Sequence, residues 1–415
     1  MIWSLSAMAF GYAFFQRVAP SVMVSELMET FSVGAAVLGQ LSAFYFYPYV
    51  LLQIPIGVLL DRFGARVLLS GAMALAAAGT IAFGLAQSLE LSYAGRFMIG
   101  AGSAVGFIGS MALASQWFPV HRFALLAGLA MLIGMVGGFA GQGPLAALID
   151  IFGWRATMVA SGVAAAGLTI AIALVVRNSP RAATHPAPHK QRWADVLSGF
   201  LQAVRSREIW LIALVATSMS GPLLAFGGLW GVPYLIVAYD LPRPQAALLV
   251  STTLIGWALG APLGGWVSDY ILRRKTPIVA AAAVLLLLVI VLTAVPQLPL
   301  WALVLVIFGM GLSGGHMVIS FALAREVSQP GLHGSVMGLV NGMTVASGAV
   351  LQPVIGALLD MLWDGRMAGG IRVYEASDYR LALASLVAWT AMGLVASLFL
   401  RETRCRPVDP PPVRA

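Results

Sequence analysis

Twelve long apolar runs follow one another along this chain, and nearly all charged residues lie in the short stretches between them. A helix of about 20 apolar residues is long enough to cross the hydrocarbon core of a bilayer. Charged residues make up only 10% of the sequence, whereas soluble domains carry about 25%. We therefore expect an all-α membrane protein with twelve transmembrane helices, or spans, numbered in chain order: 2–24, 33–59, 66–87, 90–114, 123–148, 155–177, 208–236, 244–268, 276–295, 299–324, 334–360 and 379–400.

The distribution of Lys and Arg predicts the orientation of these spans. When loops are assigned alternately to the two sides, 17 of the 24 Lys and Arg residues fall on the side of the termini. Basic loops stay in the cytoplasm, so we expect both termini there and the chain in a bacterial inner membrane. The net charge of +8 lies in these loops and does not indicate nucleic-acid binding. The single cysteine excludes a disulfide framework.

The chain contains two similar halves, each with a charged loop after its second span. Six residues match pairwise at an offset of 208 positions: Gly57 with Gly265, Asp61 with Asp269, and Arg66 with Arg274. The match continues at an offset of 210, where Gly128, Gln142 and Asp150 correspond to Gly338, Gln352 and Asp360. We expect six-helix bundles at 1–177 and 208–400, a cytoplasmic linker with a membrane-surface helix at 178–207, and a cytoplasmic tail at 401–415.

The loop between spans 2 and 3 reads G-x-x-x-D-R-x-G-x-R from Gly57 to Arg66. This motif resembles the best-known signature of the major facilitator superfamily; in the copy after span 8, Tyr270 and Leu272 replace an Arg and a Gly. The resemblance implies a substrate site near the midplane between two bundles, reached by alternating access. It also implies that loop charges act as gates, pairing across the halves with basic residues and helix N-termini. The gating candidates are Asp61, Arg62, Arg66, Asp269, Arg273 and Arg274.

Two arginines lie inside the first half of the predicted membrane region, Arg17 in span 1 and Arg96 in span 4. Ionisable groups are costly there and usually functional. Two buried guanidinium groups without a nearby acid favour an anionic or zwitterionic substrate, because a carboxylate would satisfy both through forked hydrogen bonds. The alternative is that Arg17 pairs with Glu26 while Arg96 bonds helix carbonyls as a structural strut.

Span 1 also resembles the anion:cation symporter branch of the superfamily, in which an Asp-Arg pair in this helix serves proton coupling and substrate binding. Here Gln16 replaces the Asp, and Ser103 stands where a Glu of span 4 is expected. The resemblance therefore implies substrate binding by Arg17 but leaves the proton site open. The candidate proton carriers are Glu26 and His316.

Further stretches resemble bacterial nutrient importers, including Tyr45-Phe46-Tyr47-Pro48-Tyr49 and Leu229-Trp230-Gly231-Val232-Pro233-Tyr234. Polar and aromatic groups in these spans are candidates for lining the substrate cavity, with interhelical hydrogen bonding as the alternative. The cavity candidates are Tyr45, Tyr47, Gln53, Trp230, Asn341 and Gln352.

The favoured hypothesis is a monomeric, proton-coupled importer of a small carboxylate such as an amino acid or organic anion, without a cofactor. A proton-coupled drug exporter is one alternative, but Ala130 and Phe139 replace two glycines of the exporter motif that ends at Gly143-Pro144. A copper importer is another, because Met131 and Met135 lie one turn apart. A membrane enzyme or ligand-gated sensor is a third, although no nucleotide loop or nucleophile arrangement is visible.

Overall fold

A computed structural model describes residues 1–53, 55–119, 122–178, 193–329 and 332–407. In the first half the helices are α1 Ile2–Val18, α2 Val24–Phe31, α3 Ala35–Ala43, α4 Phe46–Leu52, α5 Ile56–Leu85, α6 Leu89–Ser103, α7 Gly106–Trp117, α8 Phe123–Ala140, α9 Gly143–Phe152 and α10 Trp154–Val175, with a 3-10 turn at Ala19–Val22.

A helix in the connection, α11 Trp193–Arg205, leads into the second half. The helices there are α12 Arg207–Pro222, α13 Gly231–Tyr239, α14 Arg243–Tyr270, α15 Lys275–Ala294, α16 Leu300–Gly315, α17 Val318–Val327, α18 His333–Leu362, α19 Ala376–Leu383 and α20 Ser385–Leu398. A π-helix at Leu223–Trp230 joins α12 to α13, and a two-stranded antiparallel sheet, β1 Met367–Ala368 with β2 Ile371–Arg372, follows α18.

The expected all-helical membrane fold is confirmed. Within the described residues, eleven helical segments are long and apolar enough to cross a membrane, and α1, with 17 residues, supplies the first span. The end of span 2 and span 3 lie in one helical segment, α5, which is bent at Gly64 where φ is +76°. A methyl group at Gly64 would lie 2.5 Å from the Asn178 amide, so only glycine suits this bend.

Several spans are interrupted near their middles. Span 2 breaks between α3 and α4, span 4 between α6 and α7, span 5 between α8 and α9, and span 10 between α16 and α17. Span 7 changes to a π-helix over Leu223–Trp230. Broken helices leave backbone groups without intrahelical partners, and such groups are tolerated within a membrane only where protein or a cavity satisfies them. The interruptions therefore concentrate hydrogen-bonding capacity at the centre of the molecule.

The two halves meet along a seam between span 2 and α18, the helix that forms span 11. We call this contact the 2–11 seam. Its backbones touch directly, because a methyl group at Gly39 would collide with the Gln352 carbonyl and one at Gly356 with the Ala35 carbonyl. Further along, Phe46 lies against Gly348. The seam ends where the Asn341 amide donates a 2.8 Å hydrogen bond to the Gln53 side chain.

A second seam joins span 5 to α14, and both seams separate toward the same end of the molecule. Gly143 packs against Leu248 and Gly138 against Leu254, but a methyl group at Gly128 would meet nothing within 4 Å. The same holds for Gly57 in span 2. We call this the hinge end, because the loops around Arg66 and Arg274 lie there, and the opposite end the far end. The halves are closed at the far end.

The linker helix α11 packs against the start of α18, where a methyl group at Gly199 would lie 2.7 Å from the Ser335 hydroxyl oxygen. Ala203 is fully buried, whereas Leu201 is exposed. The predicted boundaries at 178–207 and 401–415 fall partly outside the described residues, and they stay predictions.

Candidate substrate site and gates

Arg17 lies at the end of α1 in a cage of aromatic rings. Its guanidinium carbon is 4.3 Å from the centre of the Phe14 ring, 5.2 Å from Tyr49 and 5.8 Å from Tyr45. The residue is only 6% exposed, and its Nε–H has no hydrogen-bond partner. Aromatic faces stabilise a cation electrostatically but accept no strong hydrogen bonds. The Arg17 charge is therefore buried among aromatic rings, and its Nε–H donor is unused.

Arg96 is buried too, and backbone carbonyls accept from two of its nitrogens, while its Nε–H, like that of Arg17, has no partner. Arg96 donates to the Gln16 carbonyl at 2.9 Å and to the Ser42 carbonyl at 3.3 Å. These carbonyls belong to α1 and to the last turn of α3, just before the break in span 2. This geometry agrees with the strut alternative and makes Arg96 a poorer candidate for direct substrate contact than the sequence hypothesis proposed.

Tyr45 separates the two guanidinium groups. Its ring centre lies 5.2 Å from the Arg96 guanidinium carbon, and the same ring faces Arg17. The Tyr45 hydroxyl donates a hydrogen bond to the Ala13 carbonyl at 2.9 Å. A methyl group at Gly100 would collide with the Tyr45 backbone carbonyl, so span 4 holds this tyrosine in place. Tyr45 is thus a fixed wall of the Arg17 site, with its hydroxyl already used.

Among the described residues, no carboxylate lies within 4 Å of either buried guanidinium; the acids that pair with arginine are all elsewhere. The groups at the two positions where the symporter branch carries acids are neutral. Gln16 donates to the Tyr12 hydroxyl at 2.7 Å, and its Oε1 is unpartnered. The hydroxyl of Ser103 is also buried without a partner.

Two glutamines related by the internal repeat hold the π-helix of span 7. The Gln142 amide, from span 5, donates to the Gly227 carbonyl at 2.6 Å across the halves. The Gln352 amide, from α18, donates to the Leu224 carbonyl at 2.7 Å. Both side chains are fully buried and both Oε1 atoms lack partners. The π-helix therefore takes one hydrogen bond from each bundle, and two acceptors stay free beside it.

The other cavity candidates serve contacts between helices. The Trp230 indole donates to the Gln352 carbonyl at 3.0 Å, and Gln53 pairs with Asn341 across the halves. Tyr47 is half-buried, donates to Gln40 at 3.3 Å and packs beside Phe44. Tyr47 is thus not part of the Arg17 cage, and its place in the cavity stays a prediction.

Asp360 closes the far end of the 2–11 seam. Its carboxylate accepts from the backbone N–H groups of Ala35 and Ala36 at 3.1 and 3.0 Å, from Arg372 at 3.0 Å and from the Tyr374 hydroxyl. The first two donors are the N-terminus of α3, where the helix dipole favours a negative charge. This cluster, which we call the Asp360 latch, ties the second half to the first.

Glu26 closes the far end of the other seam, and its role as a proton carrier stays a prediction. It forms an ion pair with Arg243 at the start of α14, and Asp150 lies 3.4 Å from the same guanidinium. We call these three residues the Arg243 latch. Glu26 does not pair with Arg17, and it does not lie on a buried path for protons. Asp150 and Asp360 match in the repeat, so each half supplies one equivalent acid to the closed end.

His316, the second proton candidate, lies in the break between α16 and α17. Its Nδ1 is 3.0 Å from the Leu312 carbonyl, and its ring packs against Gly264 of α14. A carbonyl partner at this distance requires a proton on Nδ1. His316 thus joins two helices of the second bundle by hydrogen bonding and packing.

At the hinge end, the second-half charges pair within their own bundle. Asp269 accepts from Arg274 at 2.6 Å, and Glu326 accepts from the same guanidinium at 2.8 Å. Burial lowers the pKa of Arg274, but the hydrogen bonds that it donates to Glu326 and Asp269 outweigh this effect and leave that pKa above its ordinary value. The expected pairing of Asp269 across the halves is therefore wrong for this conformation, in which the bundles have separated at the hinge end.

The first-half loop caps a helix of its own bundle. Arg66 donates to the Ala173 carbonyl at 2.8 and 2.6 Å, near the C-terminus of α10. Lys275 does the same in the second half, donating to the Leu398 carbonyl at 2.6 Å. Arg62 and Arg273 are exposed, and the Asp61 side chain lies outside the described residues.

Sequence reasoning missed Arg243, Arg372 and Tyr374 because they lie in predicted loops. The only signal for them was the repeat itself, which marked Asp150 and Asp360 as equivalent. Tyr49 belongs to the motif Tyr45-Phe46-Tyr47-Pro48-Tyr49 but is not among the predicted cavity residues. Its position one turn after Tyr45 places both rings on the face of span 2 that meets Arg17.

Known proteins resemble the chain along most of its length. The profile of the Major Facilitator Superfamily matches residues 5–353. A probable sulfoacetate transporter of Cupriavidus necator is 24% identical over 283 residues, covering 66% of each chain. A probable L-galactonate transporter of Escherichia coli is 22% identical over 414 residues, covering 93% of this chain and 86% of that protein.

A solved structure agrees with the fold. A bacterial homologue of the human lysosomal transporter Spinster, in an inward-facing and occupied conformation, superposes with a TM-score of 0.77 over 96% of this chain and 95% of that one, at 17% identity. At this identity the likeness shows the fold alone. The profile match, the repeated loop motif and the two-bundle architecture lead to one assignment. The chain belongs to the major facilitator superfamily of membrane transporters.

Proposed function

We propose that this transporter carries a small organic anion across a bacterial inner membrane by alternating access. The observation that carries the proposal is Arg17, a buried guanidinium with an unused Nε–H and aromatic rings as its closest neighbours. A charge left uncompensated in the membrane interior is costly. A carboxylate or sulfonate that enters the cage supplies the missing charge and accepts the free hydrogen bonds.

The rest of the site suits an anion that also carries hydrogen-bond donors. The free Oε1 atoms of Gln142 and Gln352 lie beside the π-helix that faces the end of span 1. Such acceptors bind hydroxyl or ammonium groups. Arg96 contributes indirectly, because its bonds to span 1 and span 2 hold the helices that carry Arg17 and Tyr45. It is a positioning residue rather than a ligand.

The names of the relatives support this class of substrate. The Cupriavidus protein is described as a probable sulfoacetate transporter and the Escherichia protein as a probable L-galactonate transporter. Sulfoacetate carries a sulfonate and a carboxylate, and L-galactonate carries a carboxylate and several hydroxyls. Both chemistries fit one guanidinium flanked by neutral acceptors, whereas a cationic drug would face an uncompensated like charge at Arg17.

We further propose that the hinge end faces the cytoplasm, in accordance with the excess of Lys and Arg on that side. The far-closed state, in which the two halves touch at the far end, is then the inward-facing state. In it the Asp360 and Arg243 latches bar the periplasmic side, while the charged loops at the hinge end are apart. The bundles at 1–177 and 208–400 are the two bodies that rock about the site between them.

The test is binding of sulfoacetate and L-galactonate to the purified protein by thermal shift and calorimetry. We expect at least one to bind, and Arg17→Gln to weaken that binding by about 100-fold, as for the loss of a charged hydrogen-bonding partner. Arg155→Gln is the matched control, because Arg155 donates to the Ala86 carbonyl away from the cage. Equal affinity of the Arg17→Gln variant and the wild type would refute the proposed site.

A further inference from the structure

We propose that this carrier is an anion exchanger, which switches between its inward-facing and outward-facing states only when an anion occupies the Arg17 site. The inference rests on the proposed function and adds to it the mode of coupling. It replaces the proton coupling expected from the sequence. The observations behind it are the placement of every carboxylate relative to Arg17 and the partners of the groups that were expected to carry protons.

The buried charges of the spans are positive and fixed. Arg17 and Arg96 both lie deep within the first bundle, and all 16 Asp and Glu residues of the sequence lie at span ends or in connections. Arg96 is stabilised by two carbonyls. The Nε–H groups of both arginines lack partners, but Arg17 is surrounded by aromatic rings instead of carbonyls. Since no carboxylate in the described part of the chain pairs with Arg17, the empty site carries a net positive charge.

Among the described residues, no carboxylate or imidazole contacts the Arg17 guanidinium. The residues facing Arg17 from α1 and span 2 are Phe14, Tyr45 and Tyr49. None of these side chains is a carboxylate or an imidazole. The neighbouring Gln16 side chain is an amide, and Ser103 offers only a hydroxyl.

The two groups expected to carry protons are engaged elsewhere. Glu26 pairs with Arg243 at the far end, in reach of solvent, with 22% of its side chain exposed. His316 lies in the second bundle between Leu312 and Gly264, and its Nδ1 is occupied by a helix carbonyl. Neither contacts the Arg17 cage. Loss of a proton at either place therefore puts no negative charge beside Arg17 when the site is empty.

This arrangement couples movement to occupancy. When the bundles rock, the site passes through a state closed at both ends, in which water cannot screen Arg17. An anion held against the guanidinium removes the uncompensated charge, so the loaded carrier passes this state easily. The empty carrier must pass it with a bare charge, which is strongly disfavoured. Anions then cross in both directions by exchange, one for one.

The experiment is uptake of radiolabelled sulfoacetate and L-galactonate by proteoliposomes. One set of vesicles contains the same unlabelled anion, and a matched set contains only Tris chloride. Each set of vesicles is assayed twice, once with equal pH on both sides of the membrane and once with an acid exterior. We expect uptake into anion-loaded vesicles to exceed that into chloride vesicles by more than about tenfold, because empty return is the slow step. An imposed pH gradient or potassium–valinomycin potential should leave that ratio unchanged.

The outcomes separate the two proposals. Rapid uptake into chloride vesicles, driven by the acid exterior, would overturn exchange and leave an anion transporter coupled to protons. Equal uptake into both sets without a gradient would also overturn it, in favour of a uniporter. Failure of both anions to enter any vesicle contradicts the proposed function itself and exchange with it. Arg17→Gln proteoliposomes should show no uptake above protein-free vesicles; full exchange by that variant would remove Arg17 from both proposals.

Discussion

The Asp360 latch allows a quantitative prediction about the closed far end. Asp360→Asn keeps the size of the side chain but removes its charge and turns one acceptor into a donor. That donor then faces the N-terminus of α3, where Ala35 and Ala36 present N–H groups at 3.1 and 3.0 Å. The variant therefore loses the ion pair with Arg372 and at least one charge-assisted hydrogen bond.

The magnitude follows from burial. The Asp360 side chain is 19% exposed, and hydrogen bonds to charged groups are worth about 1.5–3 kcal/mol each. We expect the variant to destabilise the far-closed state by about 2–3 kcal/mol, with part of the loss from the helix dipole. Since about 1.4 kcal/mol corresponds to a tenfold change in an equilibrium constant, the far-open population should rise about 30- to 150-fold.

Asp150 provides the matched control because it occupies the equivalent position of the repeat. It lies 3.4 Å from Arg243 and its side chain is 41% exposed, and exposed ion pairs contribute below about 1 kcal/mol. Asp150→Asn should therefore raise the far-open population by less than about fivefold. The comparison tests burial rather than charge alone.

The assay is electron–electron double resonance in lipid nanodiscs. Spin labels at Glu29→Cys and Met367→Cys, both exposed at the far end of opposite halves, report the opening. The native Cys405 is replaced by Ser. A long-distance population that grows in Asp360→Asn and hardly changes in Asp150→Asn supports the reasoning. Equal responses of the two variants, or no response of Asp360→Asn, would refute it.

Three further predictions concern single sites. Gly34→Ala should open the far end nearly as much as Asp360→Asn, because the added methyl lies 2.6 Å from both carboxylate oxygens; the same spin labels measure it. Arg17→Lys should lower exchange by about tenfold or more, since an ammonium loses forked recognition of an oxyanion, as checked by uptake kinetics. Glu402→Gln should increase maleimide labelling of Cys405 severalfold at pH 7, because Glu402 holds the tail against the start of α15.

The last prediction has a pH counterpart with a definite sign. Burial raises the pKa of Glu402, but hydrogen bonds from the N–H groups of Arg274, Arg404 and Lys275 outweigh it and lower that pKa below its ordinary value. A lowered carboxyl pKa stabilises the docked tail above the ordinary pKa and loses that contribution as the pH falls through the folded value. Limited proteolysis at acidic pH should therefore cut the tail faster in wild type and change little in Glu402→Gln.

The sequence predicted the fold well because membrane insertion demands long apolar helices, and run length and loop charge report it directly. It also identified the two buried arginines. It did not distinguish their roles, because Arg96 bonds carbonyls of Gln16 and Ser42. Those carbonyls are available only where a helix ends or breaks, and apolar periodicity does not reveal a break.

Contacts between the halves were harder to predict. Glu26 and Arg243 meet although 217 positions separate them, and each resembles an ordinary loop charge. The repeat related Asp150 to Asp360, yet their partners differ, since one faces an arginine and the other a helix N-terminus. By contrast, Asp269 and Arg274 are five positions apart, so their pairing within one bundle was readable from local spacing.

The 2–11 seam limits the motion by which this molecule works. Where Gly39 meets Gln352 and Gly356 meets Ala35, main chain rests on main chain with no side chain between. Sliding either helix lengthwise would drive the next Cβ into a carbonyl, so translation along the seam is blocked. The bundles are left with rotation, peeling apart at one end while the other end stays in contact.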